Sequence, residues 1–169
     1  KARKTTIAIN QLIRWAVRVK GTYWYIAPTY GNAKRVIWDD PFMLAQYIPD
    51  WDNPKSTFIK KSETELKVEF LDSGSLLYVI GADRFDLIRG GNPRGTVLDE
   101  FALMRPEVWD EVIQPITRSN PTAWCWFLFT PKGKNHAFTL SQLGKRESPE
   151  WKYWEMNVLQ SGVYTPLQI

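Results

Sequence analysis

The chain has one cysteine and one histidine in 169 residues, and each scarcity removes a class of chemistry. With Cys125 alone no internal disulfide framework can form, which fits a reducing compartment. Cys125 lies in "AWCWFLF", the setting of an inert, buried strand thiol rather than a nucleophile. With His136 alone, Ser/His/Asp chemistry would have to run through that one residue, and a multi-histidine metal site is excluded. No apolar run reaches the ~20 residues of a membrane span, and no signal-peptide pattern opens the chain. Internal repeats and low-complexity stretches are also missing. A hydrophobic content of 44% against 24% charged residues leaves a globular, soluble domain large enough for its own core. The net charge of +4 permits a polyanionic partner, but acids and bases are interspersed and do not require one.

Glycine is lacking at one telling place. The opening "KARKTTIAIN" places Lys4, Thr5 and Thr6 directly before an apolar-periodic run, as a phosphate-binding loop hands over to its helix. Arg3 stands where such a loop has a glycine, whose conformational freedom lets the backbone curl around phosphates. Taken alone, Lys4-Thr5-Thr6 reads more simply as an ordinary basic helix start with a threonine cap.

The periodicities predict alternating helices and strands. Thr5 to Val19 reads as a helix with Ile7, Ile9, Leu12, Ile13, Ala16 and Val17 on its apolar stripe. "TYWYIAP" reads as a central strand stopped by Pro28, and 32–38 as helix. Asp40 and Pro41 are expected to cap and begin a further helix. "TFIKKSETELKVEFLDSGSLLYVIGA" reads as two or three strands turning at Ser62-Glu63 and Ser73-Gly74. "RFDLIRGGNPRG" reads as a glycine-rich connector and "TVLDEF" as a strand ending in two acids. A helix is expected from Pro106-Glu107, carrying Val108, Val112, Ile113 and Ile116 on one face. "AWCWFLFT" reads as a strand buried on both faces, followed by a helix after Asn135 and a last strand near 151–158. Together these predict an α/β fold of three layers around a mostly parallel sheet. The nine tryptophans suit heavy core packing, and Tyr23, Trp24, Tyr25, Trp124 and Trp126 are assigned to it.

At the carboxyl end of its strand, Asp99-Glu100 occupies the edge where open α/β sheets place ligands. Nucleotide hydrolysis needs two different carboxylates there: one to hold Mg²⁺, usually through water, and one to activate the attacking water. On a regular strand, successive side chains point to opposite faces, so the two acids would divide these tasks. A solvated acidic pair in a turn would leave the same trace. Asp39-Asp40, Asp50 and Asp52 are better explained by capping and turns than by a metal. Lys132, Lys134, Lys145 and Arg146 could meet DNA phosphates, though solvated lysines look no different.

The order of these signals, with "YIAPTYGNAKRVIWDD", "GADRFDLIRGGNPRGTVLDEFALM" and "FLFTPKGKNHAF", resembles the ATPase domain of phage large terminase subunits from Lys4 to about Trp154. That resemblance implies a RecA-like P-loop NTPase core using ATP and Mg²⁺. It implies that the chain drives double-stranded DNA into a procapsid, as a homo-oligomeric ring with portal and small terminase subunit, in the host cytoplasm. Lys4, Thr5 and Thr6 would then close the Walker A motif, with Thr5 and Asp99 holding Mg²⁺. Glu100 would be catalytic, and Thr130 in "FTP" would couple the γ-phosphate state to movement. Arg89 in "LIRGG" would be offered to a neighbour's ATP, with Arg84 a competitor and a surface salt bridge the plain alternative for either. Residues 1–169 would form a single ATPase domain, with the P-loop strand expected before it and a nuclease domain after it. A DEAD-like helicase core shares "APTYGNA"-type and "FTP"-type motifs. A non-hydrolysing docking module would suit Arg3, though not an intact Asp99-Glu100 pair.

Overall fold

In a computed structural model, residues 3–146 and 149–155 are described. Helix α1 (Lys4–Arg18) leads into β1 (Thr22–Ala27). A short α2 (Tyr30–Asn32) follows, running on as a π-helix over Ala33–Trp38, and then the four-residue α3 (Leu44–Tyr47). Strands β2 (Ile59–Ser62), β3 (Lys67–Phe70) and β4 (Ser75–Gly81) come next. Two 3-10 turns kinked at Arg84 span Ala82–Ile88 and lead to β5 (Pro93–Asp99). A 3-10 turn (Phe101–Leu103) and a π-helical stretch (Val108–Ile113) run into α4 (Gln114–Ser119). Strand β6 (Trp124–Leu128) and α5 (His136–Lys145) complete the described elements.

The six strands form one mixed sheet in the order β2-β3-β4-β1-β5-β6. β4, β1, β5 and β6 run parallel, while β2 and β3 join antiparallel on the β4 side. β1 is the axis of the parallel block because "TYWYIA" offers bulky residues on both faces, five of them fully or nearly buried. Its alternation splits the core in two. Tyr23, Tyr25 and Ala27 face α1 and the 33–48 helical segment, meeting Ala8, Ile9, Leu12, Ala16, Ile37 and Trp38. Trp24 and Ile26 face the other way, onto Phe101, Val108, Trp109, Val112 and Ile113. The expected three-layer α/β fold is therefore present, with two antiparallel pairings in an otherwise parallel sheet.

Several local expectations fail for identifiable reasons. Ile7 and Val17 sit on the exposed side of α1, whose buried stripe is the narrower Ala8, Ile9, Leu12 and Ala16. Asp40 does not start a helix at Pro41. Its carboxylate accepts the Phe42 amide at 2.9 Å in a side-chain turn, and regular helix begins only at Leu44. The connector after β4 is a pair of 3-10 turns. It begins at Gly81, where a Cβ would lie 2.1 Å from the Tyr30 nitrogen, so only glycine lets the two chain segments approach. The strand "AWCWFLF" is half-buried rather than enclosed on both faces, because β6 is an edge strand among the described residues. Trp124 and Trp126 on it are accordingly half-buried too. The last expected strand is absent over 151–155, and 156–158 lie outside the described residues.

Candidate active site

Parallel strands all end on one edge, so Ala27, Gly81, Asp99 and Leu128 finish beside each other and beside the start of α1. Two contacts tie that start to the strand ends. The Thr5 hydroxyl donates to Asp99 Oδ2 at 2.8 Å, and Lys4 Nζ donates to Thr130 Oγ1 at 3.2 Å. Lys4, Thr5, Asp99 and Thr130 are thus brought together from three separate parts of the sequence. Thr6 adjoins them on α1, where its carbonyl accepts the Asn10 side-chain amide at 2.9 Å.

Helix α1 has no acidic residue in its first turn and no side-chain cap, so its leading amides remain available for an anion. Arg3, which precedes it, adopts the left-handed conformation at φ 51° and ψ 26°. This is the backbone state that glycine supplies at little cost, and it is where the sequence pattern asks for one.

Asp99 is 8% exposed, and both its oxygens accept hydrogen bonds. Oδ2 takes the hydroxyls of Thr5 and Tyr25, and Oδ1 takes the Glu100 amide at 3.0 Å. Burial, followed by the adjacent Asp99 carboxylate, pushes the Tyr25 hydroxyl well above its usual pKa, so it remains a donor throughout the working pH range. The strand does not stay regular through the acidic pair: Glu100 is left-handed at φ 53° and ψ 42°. A non-glycine residue held there costs of order 1–3 kcal/mol, strain that clusters at functional positions. The loop beyond is fastened by His136, whose Nε2 donates to the Phe101 carbonyl at 2.9 Å while its ring packs edge-on against Phe101. His136 therefore clamps the segment after the acids, a role its position at a helix start did not disclose.

The arginines lie elsewhere. Arg89 pairs with Glu111 at 3.3 Å and approaches the Phe85 ring, on the sheet face opposite α1. Arg84 stacks 4.4 Å above the Tyr30 ring. These partners, Glu111, Phe85 and Tyr30, are not members of the Lys4–Thr5–Asp99–Thr130 cluster. Tyr25 is core, as expected, and its hydroxyl also reaches the site; the only trace of this in the sequence is a tyrosine on a buried strand, whose hydroxyl needs a partner, a trace that Tyr23 shares. Cys125 fits its expected inertness: although the residue is half-buried overall, burial pushes its thiol well above the ordinary range.

No protein-family model matches the chain. The chain is similar to the large terminase subunit of Thermus virus P23-45, at 30% identity in an alignment of 138 positions that covers 73% of this chain. It spans 27% of that subunit's length. Among solved structures it is similar to the large terminase ATPase domain of Thermus phage P74-26, with a TM-score of 0.70 at 20% identity. That likeness covers 90% of this chain and 70% of the other. A large terminase of a thermophilic bacteriophage, solved in complex with ADP, gives a TM-score of 0.71 at 20% identity over 99% of this chain and 40% of its own. At these identities the structural likeness is one of fold.

Proposed function

We propose, for a chain that is a relative of the phage large terminase subunits and carries the fold of their ATPase domain, that it hydrolyses ATP with Mg²⁺. In this reading, hydrolysis drives packaging of double-stranded DNA into a procapsid by a ring of such subunits, working with portal and small subunit. The observation that carries it is the meeting of Thr5 with Asp99 and of Lys4 with Thr130 at the uncapped start of α1.

A hydroxyl beside a buried carboxylate is a hard-oxygen donor set, which fits Mg²⁺. Thr5 and, through water, Asp99 would hold the ion, which supplies charge neutralisation for the phosphates. The remaining tasks fall to this chain's own groups. Lys4 and the leading amides of α1 bind the β- and γ-phosphates, exchanging the Thr130 hydroxyl for phosphate oxygens. That exchange releases Thr130 whenever a γ-phosphate arrives, the change of partner a coupling residue requires. Glu100, turned out of the strand by its left-handed backbone, receives the proton of the attacking water. Arg89 acts on a neighbouring subunit's nucleotide, stabilising charge on the transferred phosphoryl after leaving Glu111.

The test is Mg²⁺-dependent ATP hydrolysis by the chain and its Glu100→Gln variant, with and without duplex DNA. Removing the base is expected to lower kcat by about 10²–10⁴-fold, with nucleotide binding retained. Equal rates in the two proteins would remove Glu100 from catalysis. Absence of both binding and hydrolysis in the parent chain would favour a docking module with a degenerate phosphate loop.

A further inference from the structure

Tyr23 and Tyr25 sit two residues apart on β1, both fully buried and both facing α1. Their rings do the same work, filling the layer between sheet and helix. Their hydroxyls do not. The Tyr23 hydroxyl lies 2.7 Å from the Val19 carbonyl and 3.3 Å from that of Trp15, and so serves the backbone at the far end of α1. The Tyr25 hydroxyl donates to a side chain, and to the same Asp99 oxygen that accepts Thr5.

A phenylalanine would pack the Tyr25 site equally well, so the hydroxyl is there for Asp99. Three donors from three elements, Thr5 of α1, Tyr25 of β1 and the Glu100 amide after β5, then fix the carboxylate in one rotamer. Without Tyr25, Oδ2 would rely on Thr5 alone, and Thr5 is the hydroxyl that a metal ion would recruit. We infer that Tyr25 is a positioning residue for the metal site, its hydroxyl holding Asp99 Oδ2 beside Thr5 so that the two face one divalent cation together.

This inference rests on the reading of the site as a Mg²⁺-nucleotide centre. Loss of a group that orients a metal-binding carboxylate typically weakens metal affinity about 10- to 100-fold. That is the shift expected in the Mg²⁺ midpoint of Tyr25→Phe, measured by titrating Mg²⁺ against binding of a fluorescent ATP analogue. Binding of the analogue in chelator should not change, so the effect appears as a metal requirement. Tyr23→Phe is the control. It removes a less deeply buried hydroxyl from the same face, one that serves only the backbone, and should lower the melting temperature without moving the Mg²⁺ midpoint.

A second readout uses the unsubstituted protein, should Tyr25→Phe fold poorly. With ¹³C at the tyrosine ring carbon bearing oxygen, the Tyr25 resonance should move when Mg²⁺ joins the bound analogue, while that of Tyr23 stays. Coincident Mg²⁺ midpoints for Tyr25→Phe and the parent, or a Tyr25 resonance blind to Mg²⁺, would overturn the inference and leave the nucleotide reading standing. A parent chain whose binding of the analogue ignores Mg²⁺ would overturn both.

Discussion

The two halves of the sheet are held together by different kinds of contact. In the antiparallel half, β2 and β3 are joined by a turn, and side-chain ion pairs there span at most nine positions: Lys61 with Glu63 and Asp52, and Lys67 with Glu65. In the parallel half each strand needs a crossover to return to the same edge, so residues far apart in sequence finish together. Lys4 and Thr130 are 126 positions apart, and Thr5 and Asp99 are 94 apart. The parallel edge collects chemistry because topology gathers distant side chains there. The antiparallel hairpins widen and seal the sheet without contributing to that edge.

If this division holds, substitutions in the antiparallel half should change stability and leave nucleotide handling alone. Phe70→Ala on β3 is the strongest test. The ring is buried and meets Phe58 edge-on. Its removal should cost about 3–5 kcal/mol in a denaturant titration. The Mg²⁺ midpoint for nucleotide binding, measured where the variant is still folded, should equal that of the parent chain. A shifted midpoint would mean that the hairpins shape the site after all.

Legibility in the sequence followed the same division. The strands, their approximate ends and the residues at the parallel edge could be read because each carries a local trace: alternation in 59–81, a lysine-threonine before a helix, two acids after an apolar run. Tyr25 could not be assigned to the site because its partner lies 74 positions away on a neighbouring strand, and pairing order leaves no mark on a single strand. Among the described residues β6 is a half-buried edge strand, because an apolar run reports what its side chains can bury, not which strands lie beside it. Arg89 stands out in the sequence by motif alone, and its contacts with Glu111 and the Phe85 ring follow from the fold rather than from any local pattern.

Backbone strain offers the next test. Leu66, in the β2–β3 turn, and Arg3, at the start of α1, are both left-handed without being glycine. Leu66 is fully buried, whereas Arg3 is exposed. Leu66→Gly should therefore destabilise, because about 2–5 kcal/mol of lost packing exceeds the 1–2 kcal/mol of relieved strain. Arg3→Gly loses no buried surface. It relieves the same strain against a smaller entropic cost in the unfolded chain, for a net gain of about 0.5–1 kcal/mol. Thermal melts of the two glycine variants moving in opposite directions would establish the contrast; parallel shifts would break it.

The smallest expected effect sits at the seam between the halves. Glu63, in the β2–β3 turn, accepts the indole N–H of Trp38, which ends the π-helix packed on the parallel block, and pairs with Lys61 at 3.0 Å. Burial pushes the Glu63 carboxyl up, but the indole and Lys61 outweigh it and hold the carboxyl below its ordinary value. A depressed folded pKa contributes stability above the unfolded value, and that contribution is lost as pH falls through the folded one. With the side chain 59% exposed, water and salt screen most of it, leaving about 0.5 kcal/mol at neutral pH. Glu63→Gln keeps an acceptor for Trp38 and removes the charge. Its melting temperature should fall slightly short of the parent's at pH 7 and converge with it in acid, once the parent's Glu63 is protonated. Because Trp38 is buried among the residues that face β1, this is also the contact through which a hairpin could reach the site. An unchanged Mg²⁺ midpoint in Glu63→Gln would confine the turn to stability, and a changed one would make Trp38 the link between the two halves.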